Sequence, residues 1–278
     1  MGVSRWQQLG AFVGDANSLS YDQLKEFHTV GGRWIAVLLA QLGYPYDHDP
    51  ACVHNVAKLL ELKEWCTEFG VACGGWFNGW AGGELHTTAA EDAEQVRRYV
   101  QGFNLGPVIL DCEAAYKEHP QELPHLLMEV RKRIKTRSIG VSTNEPNDSL
   151  VWNGGAFGHK SSMYHLGIRL LPQWYSSPNY SSVWMRPDLT MKWLKEHGDE
   201  DNFLDYDAPA NRAVPLSYVH GTLEVTGLEG ASLATSIEQL KLSKQYGYTS
   251  GFSIYMLEAM PQGDFKYLAD VRGSLFYV

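Results

Sequence analysis

The sequence lacks the features that mark membrane and nucleic-acid-binding proteins. No apolar run approaches the roughly 18 residues of a transmembrane helix, so we expect no membrane span. Residues Met1 to Gln8 lack a basic stretch followed by an apolar one, so we expect no secretory signal. Basic residues are few, with 23 Lys and Arg against 32 Asp and Glu and a net charge of −9. An acidic surface repels nucleic acids and anionic membranes, so neither is an expected partner.

Several motifs of cofactor and metal chemistry are also missing. There are 4 cysteines, none in a C-x-x-C pair or a His/Cys box, which argues against zinc. No G-x-G-x-x-G or G-x-x-x-x-G-K-[ST] turn occurs to hold a nucleotide phosphate, and no G-x-S-x-G marks an α/β-hydrolase. Asp47, His48 and Asp49 are adjacent, and adjacent residues rarely converge on one ion, so a solvated loop is favoured. We therefore predict neither a metal nor a cofactor.

The sequence does contain a regular alternation of short apolar runs and helix-like segments. Runs of this length and composition are typical of buried parallel strands. The eight predicted strands are Ala11–Ala16, Arg33–Ala40, Val71–Phe77, Pro107–Glu113, Ser138–Thr143, Ile168–Tyr175, Ala213–His220 and Gly251–Leu257.

The segments between the runs have helical periodicity. Ser20 with Gln23 predicts a capping box at the start of the first helix, and Gly70 predicts a helix end. Eight strand–helix repeats in 278 residues favour a (β/α)₈ TIM barrel of the α/β class, with residues 1–278 as a single domain. The alternative is a doubly wound open sheet, which the missing Gly-rich phosphate turn disfavours.

The fourth predicted strand ends in Asp111-Cys112-Glu113. Because side chains alternate along a strand, Asp111 and Glu113 point to one side, about 6.6 Å apart for a rise of ~3.3 Å per residue. The C-terminal ends of barrel strands form the active sites of TIM barrels. Two crowded carboxylates raise the pKa of one of them, which creates a proton donor beside an ionised partner. Glycosidic cleavage requires such a pair, although a pair of loop-edge carboxylates that cap a helix or pair with arginine is the alternative.

Other polar and aromatic residues cluster at the same ends of the predicted strands. Asp15 ends the first strand, where it is a candidate catalytic residue or a turn residue. A single polar or aromatic residue at the end of a strand more often belongs to the core or to a turn. Because several such residues share this position, we predict that they line a single cavity that binds a substrate with flat faces. The candidate substrate-binding residues are Trp76, Asn78, Gln173, Tyr175, Tyr218, Tyr255 and Glu258.

The D-x-E that ends strand four, the Asp that ends strand one and the polar-aromatic end of strand six resemble the family 25 lysozymes. The chitinase-like barrels also have D-x-E on strand four and an aromatic residue on strand six. The lysozymes cut the bond between N-acetylmuramic acid and N-acetylglucosamine in peptidoglycan, and many come from bacteriophages. The resemblance implies that Glu113 is the proton donor and that Asp111 orients the substrate's N-acetyl group, which can act as the internal nucleophile. It also implies that Asp15, Gln173 and Tyr175 position the substrate.

Two functions of different classes follow. The first is a glycoside hydrolase that cleaves an N-acetylated cell-wall glycan, like a lysozyme on peptidoglycan, in association with a phage. The second is a non-catalytic structural or carbohydrate-binding barrel in a phage tail or other assembly. The expected partners are a glycan and, for a phage protein, virion tail proteins. The expected location is the virion or release by lysis for a phage protein, and the cytoplasm otherwise.

Overall fold

A computed structural model describes residues 5–44, 56–79, 84–112, 116, 119, 122–143, 166–175, 186–197, 219–225 and 232–275. Eight strands form a closed barrel in which each strand is parallel to the next and β8 pairs with β1. This confirms the predicted TIM barrel and excludes the open sheet. The strands are β1 (Leu9–Val13), β2 (Gly32–Gln41), β3 (Ala72–Asn78), β4 (Val108–Asp111), β5 (Ile139–Thr143), β6 (Ile168–Trp174), β7 (Gly221–Glu224) and β8 (Phe252–Tyr255).

In the described part of the chain, a helix follows each strand other than β5, and these helices cover the outside of the barrel. The described residues include α1 (Tyr21–Thr29), α2 (Val56–Phe69), α3 (Ala89–Gly102), α4 (Glu122–Arg133), α5 (Pro187–His197), α6 (Leu233–Ser243) and α7 (Phe265–Leu275). The predicted capping box of α1 is present, because the side chains of Ser20 and Gln23 each accept a hydrogen bond from the other residue's backbone N–H. Gly70 follows α2 with a φ of +66°, a left-handed conformation that favours glycine after a helix. None of the helices in this part of the chain has both the length and the apolar character needed to cross a membrane.

The alternation of side chains along the strands creates two apolar layers. Side chains on the outer face, such as Leu110 and Cys112, belong to the large core between the sheet and the helices. Side chains on the inner face fill the barrel itself. The inner cluster contains Trp6, Phe12, Trp34, Ala36, Trp76, Ile109 and Leu171. Glycine makes room for these large rings, since a Cβ at Gly10 would lie 2.0 Å from the ring of Trp34.

The predicted bounds of the seventh strand are wrong. The prediction ended at His220, whereas β7 begins at Gly221; residues 213–218 lie outside the described residues. The strand was missed because its inner face is polar, and its apolar content is therefore low. Thr222 forms a hydrogen bond with Ser253 of β8 at 2.9 Å between the two hydroxyl oxygens. Gly221 is required at the start of β7, because a Cβ there would lie 1.8 Å from the ring of Trp174.

A buried histidine closes the N-terminal end of the barrel. The ring of His220 lies 5.4 Å from the ring of Trp6 and 5.5 Å from that of Trp34, measured between centroids. Its Nδ1 is 3.0 Å from the carbonyl oxygen of Trp6, and its Nε2 is buried with no hydrogen-bond partner. Burial lowers the pKa of His220 to about 4, and the positive charge of Arg169 acts in the same direction.

This depressed pKa predicts a loss of stability in acid. Between pH 6.5 and about 4 the unfolded chain binds a proton at His220 that the folded chain excludes, so the free energy of unfolding falls as the pH drops through that window. Across the whole window, the shifted pKa of His220 lowers the free energy of unfolding by about 3 kcal/mol. We expect His220→Asn to flatten this part of the stability–pH curve, measured by urea unfolding. His125→Asn, at an exposed position on α4, is the control. If the stability of His220→Asn depends on pH as steeply as that of the parent, the assignment is contradicted.

Candidate active site

A buried carboxylate lies at the C-terminal end of the barrel. Asp111 is the last residue of β4 and is 4% exposed. The Nε1–H of Trp76 donates to its Oδ2 at 3.1 Å, and the Nε2 of Gln173 donates to its Oδ1 at 3.0 Å. The same Gln173 nitrogen lies 3.0 Å from the hydroxyl oxygen of Ser142. The side chain of Asp111 is therefore held on both oxygens by residues of β3 and β6.

The strand register explains why these residues meet. Asn78 of β3 pairs with Asp111 of β4, and Asp111 pairs with Ser142 of β5. Ser142 pairs with Leu171 of β6, and Gln173 lies two residues further along the same inner face. Paired residues on parallel strands project to the same face, so the inner layer changes from apolar to polar at the mouth of the barrel.

Aromatic rings form a wall next to Asp111. The ring of Tyr255 lies 5.6 Å from Trp76 and 6.1 Å from Phe12 between centroids. Tyr175, directly after β6, packs its ring 5.5 Å from Tyr255 with an angle of 31° between the planes. Flat apolar faces of this kind can stack on the rings of a sugar.

The structure thus brings together five of the predicted site residues through direct contacts. They are Trp76, Asp111, Gln173, Tyr175 and Tyr255. Asn78 lies beside Asp111 through the strand register. Glu113 and Tyr218 lie outside the described residues, as do Asp47, His48 and Asp49.

Asp15 lies in a turn after β1. Its carboxylate is exposed and accepts hydrogen bonds from the backbone N–H of Asn17 at 2.9 Å and from the hydroxyl of Ser18. These bonds, that of Ser18 foremost, hold the pKa of Asp15 below its usual range. Both partners follow Asp15 within three residues, so the carboxylate stabilises the local turn.

Glu258 connects the end of β8 to the end of β1. Its Oε1 accepts hydrogen bonds from the backbone N–H of Gly14 at 2.7 Å and of Asp15 at 2.8 Å. Its Oε2 is buried without a hydrogen-bond partner, and burial raises the pKa of Glu258. Its backbone carbonyl accepts a hydrogen bond from the side chain of Gln23 in α1. Glu258 therefore holds the β1 loop that carries Asp15.

Sequence reasoning missed one acidic residue at the mouth. Glu224 ends β7, is 4% exposed and pairs in register with Tyr255. It lies two residues beyond Thr222, on the same inner face. The prediction ended the seventh strand before Glu224, and therefore left this carboxylate out. The alternation of Thr222, Leu223 and Glu224 is the signal that could have revealed it.

Metal chemistry requires several ligands close together. Within the part of the chain that the structure describes, no group of three or more His, Cys, Asp or Glu side chains could hold a metal ion.

Solved structures similar to this chain include chitinases and an inhibitor protein. No protein-family model and no curated protein matches the chain. A GH18 chitinase from Pseudoalteromonas aurantia is similar in structure, with a TM-score of 0.68 and 15% identity over 96% of this chain and 100% of the chitinase chain. The catalytic domain of a hyperthermophilic chitinase from Pyrococcus furiosus has a TM-score of 0.64 and 13% identity, over 98% of this chain and 97% of that domain.

The third similar structure is a xylanase and α-amylase inhibitor protein from Scadoxus multiflorus. Its TM-score is 0.58 and its identity 11%, over 96% of this chain and 98% of the inhibitor chain. The chain shares the fold of these chitinase barrels. Identities this low show the fold alone, so the resemblance to the family 25 lysozymes stays a prediction.

The contact between Trp76 and Asp111 predicts a measurable contribution to stability. Trp76→Phe keeps an aromatic ring but removes one of the donors to a buried carboxylate, which should lower the free energy of unfolding by about 1–3 kcal/mol. Trp65→Phe is the control, because Trp65 packs on α2 against Tyr21 and Lys58. Equal losses in the two variants, measured by urea unfolding, would show that the hydrogen bond contributes nothing.

The buried carboxylate of Glu258 predicts a pH effect of the opposite sign to that of His220. Its pKa is raised above 4.5, so the parent loses stability as the pH rises through the folded-state pKa. Glu258→Gln keeps an oxygen for the two backbone N–H groups and cannot ionise. The variant should therefore gain stability relative to the parent as the pH rises above 4.5, measured by urea unfolding. Glu238→Gln, on the surface of α6, should show no such gain, and a pH-independent difference for Glu258→Gln would refute the assignment.

Proposed function

We propose that this chain is a glycoside hydrolase that cleaves an N-acetylated cell-wall glycan, with peptidoglycan as the substrate of a lysozyme-like activity. The observation that supports this most is the carboxylate of Asp111, buried at the mouth of the barrel and held by Trp76 and Gln173. A charged group in such a place is costly unless its hydrogen bonds are satisfied. Its position at the C-terminal end of a barrel strand is where TIM-barrel enzymes place their catalytic groups.

Asp111 has the chemistry needed to orient an acetamido group. A carboxylate offers about four acceptor sites, so it can accept the N–H of a substrate in addition to the donors of the protein. In that position it aligns the acetamido carbonyl oxygen with the anomeric carbon. It also balances the positive charge that develops when this oxygen attacks.

The second residue of the proposed mechanism is Glu113, which we assign as the proton donor from the D-x-E spacing in the sequence. It donates its proton to the glycosidic oxygen as the bond from that oxygen to the anomeric carbon breaks, and the acetamido oxygen forms the new bond to that carbon. Water then adds to the anomeric carbon, the bond to the acetamido oxygen breaks, and Glu113 accepts the proton of the water. Two displacements at one carbon leave its configuration retained.

The aromatic wall supplies the binding surface for this reaction. Trp76, Tyr175 and Tyr255 surround the place where a sugar would contact Asp111. Glu224 adds a second buried carboxylate beside Tyr255 and can accept hydrogen bonds from sugar hydroxyls. Asn78 adds an amide next to Asp111.

The biological setting in the proposal is a bacteriophage. The support is the resemblance to the family 25 lysozymes, many of which come from phages. In that setting the chain acts in the virion, beside tail proteins, or after release by lysis.

A non-catalytic barrel is the second candidate. The inhibitor from Scadoxus multiflorus has the same fold over nearly its whole length. In this alternative, the chain is a structural or carbohydrate-binding part of a phage tail or other assembly, and the aromatic wall binds glycan without cleavage.

Activity assays on two glycans distinguish the candidates. We expect the parent to release reducing ends from N-acetylchitooligosaccharides or to clear a peptidoglycan suspension. Glu113→Gln should lower turnover by roughly 10²–10⁴-fold. Asp111→Asn should lower it by roughly 10²–10³-fold. Asp188→Asn changes a buried carboxylate that pairs with Arg186 at the start of α5, and is the matched control.

Two results would contradict the hydrolase. Unchanged turnover in Glu113→Gln and Asp111→Asn would remove both residues from their roles. No turnover by the parent, together with glycan binding that Tyr175→Ala abolishes, would favour the carbohydrate-binding barrel.

A further inference from the structure

A cavity lies on the C-terminal side of the barrel, outside the ring of strands. It has a volume of about 380 Å³ and lies between the end of β2, the segment before α3 and the first turns of α3. Its lining includes Tyr44, His86, Asp92, Gln95 and Arg98. None of these residues takes part in the hydrogen bonds of Asp111 described above.

Gln95 is the unusual residue of this cavity. It is 5% exposed, and both amide atoms, Nε2 and Oε1, are buried without a hydrogen-bond partner. Most buried polar side chains are hydrogen-bonded, so an amide that lacks both kinds of partner requires an explanation. Rotation of the side chain would bring both atoms to the cavity surface, where a ligand that presents a carbonyl oxygen and an N–H together, as a secondary amide does, would satisfy them.

The wall next to Gln95 is held in place by a buried carboxylate. Asp92 accepts hydrogen bonds from the backbone N–H of Gly43 at 3.0 Å, the hydroxyl of Thr87 at 2.7 Å and the hydroxyl of Tyr116. The backbone N–H of His86 donates to the carbonyl of Gly43 at 2.8 Å. These bonds join the segments after β2, β3 and β4 to α3, so they hold this wall of the cavity in place.

Two rings border the same cavity. Tyr44 and His86 lie 4.8 Å apart between centroids with an angle of 45° between their planes. Tyr44 is half-buried and His86 is exposed, so part of each ring is accessible. An aromatic surface close to an amide is a combination that suits the apolar face and the acetamido group of an N-acetylated sugar.

We infer that this cavity binds one N-acetylhexosamine unit, with its acetamido group on Gln95 and its ring against Tyr44 and His86. The choice of a sugar as ligand rests on the proposed function. The backbone connects the cavity to the active-site mouth, since Leu42 precedes Tyr44 by two residues and its N–H donates to the carbonyl of Asn78 at 2.6 Å, and Asn78 lies beside Asp111. A glycan chain bound at the mouth therefore has a second contact nearby on the rim.

Site-resolved NMR tests the inference with a ligand that cannot be hydrolysed. N-acetylglucosamine is titrated into the isotope-labelled full chain, and the backbone amide signals of Thr87, Ala90 and Arg98 report on the cavity. Glucose, which lacks the acetamido group, is the matched control ligand. We expect saturable shifts with N-acetylglucosamine and at least tenfold weaker binding of glucose.

Variants separate recognition from folding. Gln95→Leu keeps the approximate size and should weaken N-acetylglucosamine binding at the cavity about tenfold, with a urea midpoint equal to or above that of the parent. Gln101→Leu on the same helix is the control and should leave the affinity unchanged, because the Gln101 amide already donates to the carbonyl of Arg133. Tyr44→Ala tests the ring contact independently, and should also weaken binding.

The outcome is independent of catalysis. Shifts at the cavity together with an inactive parent would support this inference while refuting the hydrolase. Equal affinity for glucose, unchanged affinity in both Gln95→Leu and Tyr44→Ala, or the absence of shifts at the cavity would overturn it, whatever the activity assays show.

Discussion

In the closed parallel barrel, the side chain of every second strand residue points into an interior of fixed width. The rest of the structure depends on that constraint. Towards the N-terminal end, large rings such as Trp6 and Trp34 fill this space, and Gly10 supplies the room that the ring of Trp34 needs. Towards the C-terminal end the inner positions become polar. A site at the mouth is therefore built from residues whose neighbours are set by strand register, and the packed rings below keep them in place.

The polar layer has an energetic cost that the hydrogen bonds offset. Burying a carboxylate requires donors, and Trp76 and Gln173 supply them to Asp111 from strands on either side. The same principle operates at Asp92, where three segments donate to one carboxylate. Gln95, His220 and Glu258 are different, because each keeps at least one buried polar atom without a hydrogen-bond partner. Such atoms reduce stability, and they occur both in the interior and at the rim that faces ligands.

Sequence patterns predicted the elements that carry strong local signals. The apolar run before Asp111 and the spacing of Ser20 and Gln23 depend on neighbours in sequence, so strand β4 and the start of α1 were predicted correctly. Strand β7 was misplaced because its inner residues, Thr222 and Glu224, are polar, and hydrophobic periodicity cannot detect them. The cavity at Gln95 was not predictable either. It depends on contacts between α3 and the end of β2, which are far apart in the chain.

The fold cannot decide between an enzyme and a binding barrel, because chitinases and an inhibitor share it at similarly low identity. The residues at the mouth carry more weight. A barrel that only binds glycan can rely on aromatic faces, and replacing a buried carboxylate and its donors with well-packed apolar side chains is often neutral or stabilising. Asp111 lies among buried rings, with Glu224 also buried on the inner face. These buried carboxylates at the C-terminal end of the barrel are the observation on which the proposed hydrolase rests.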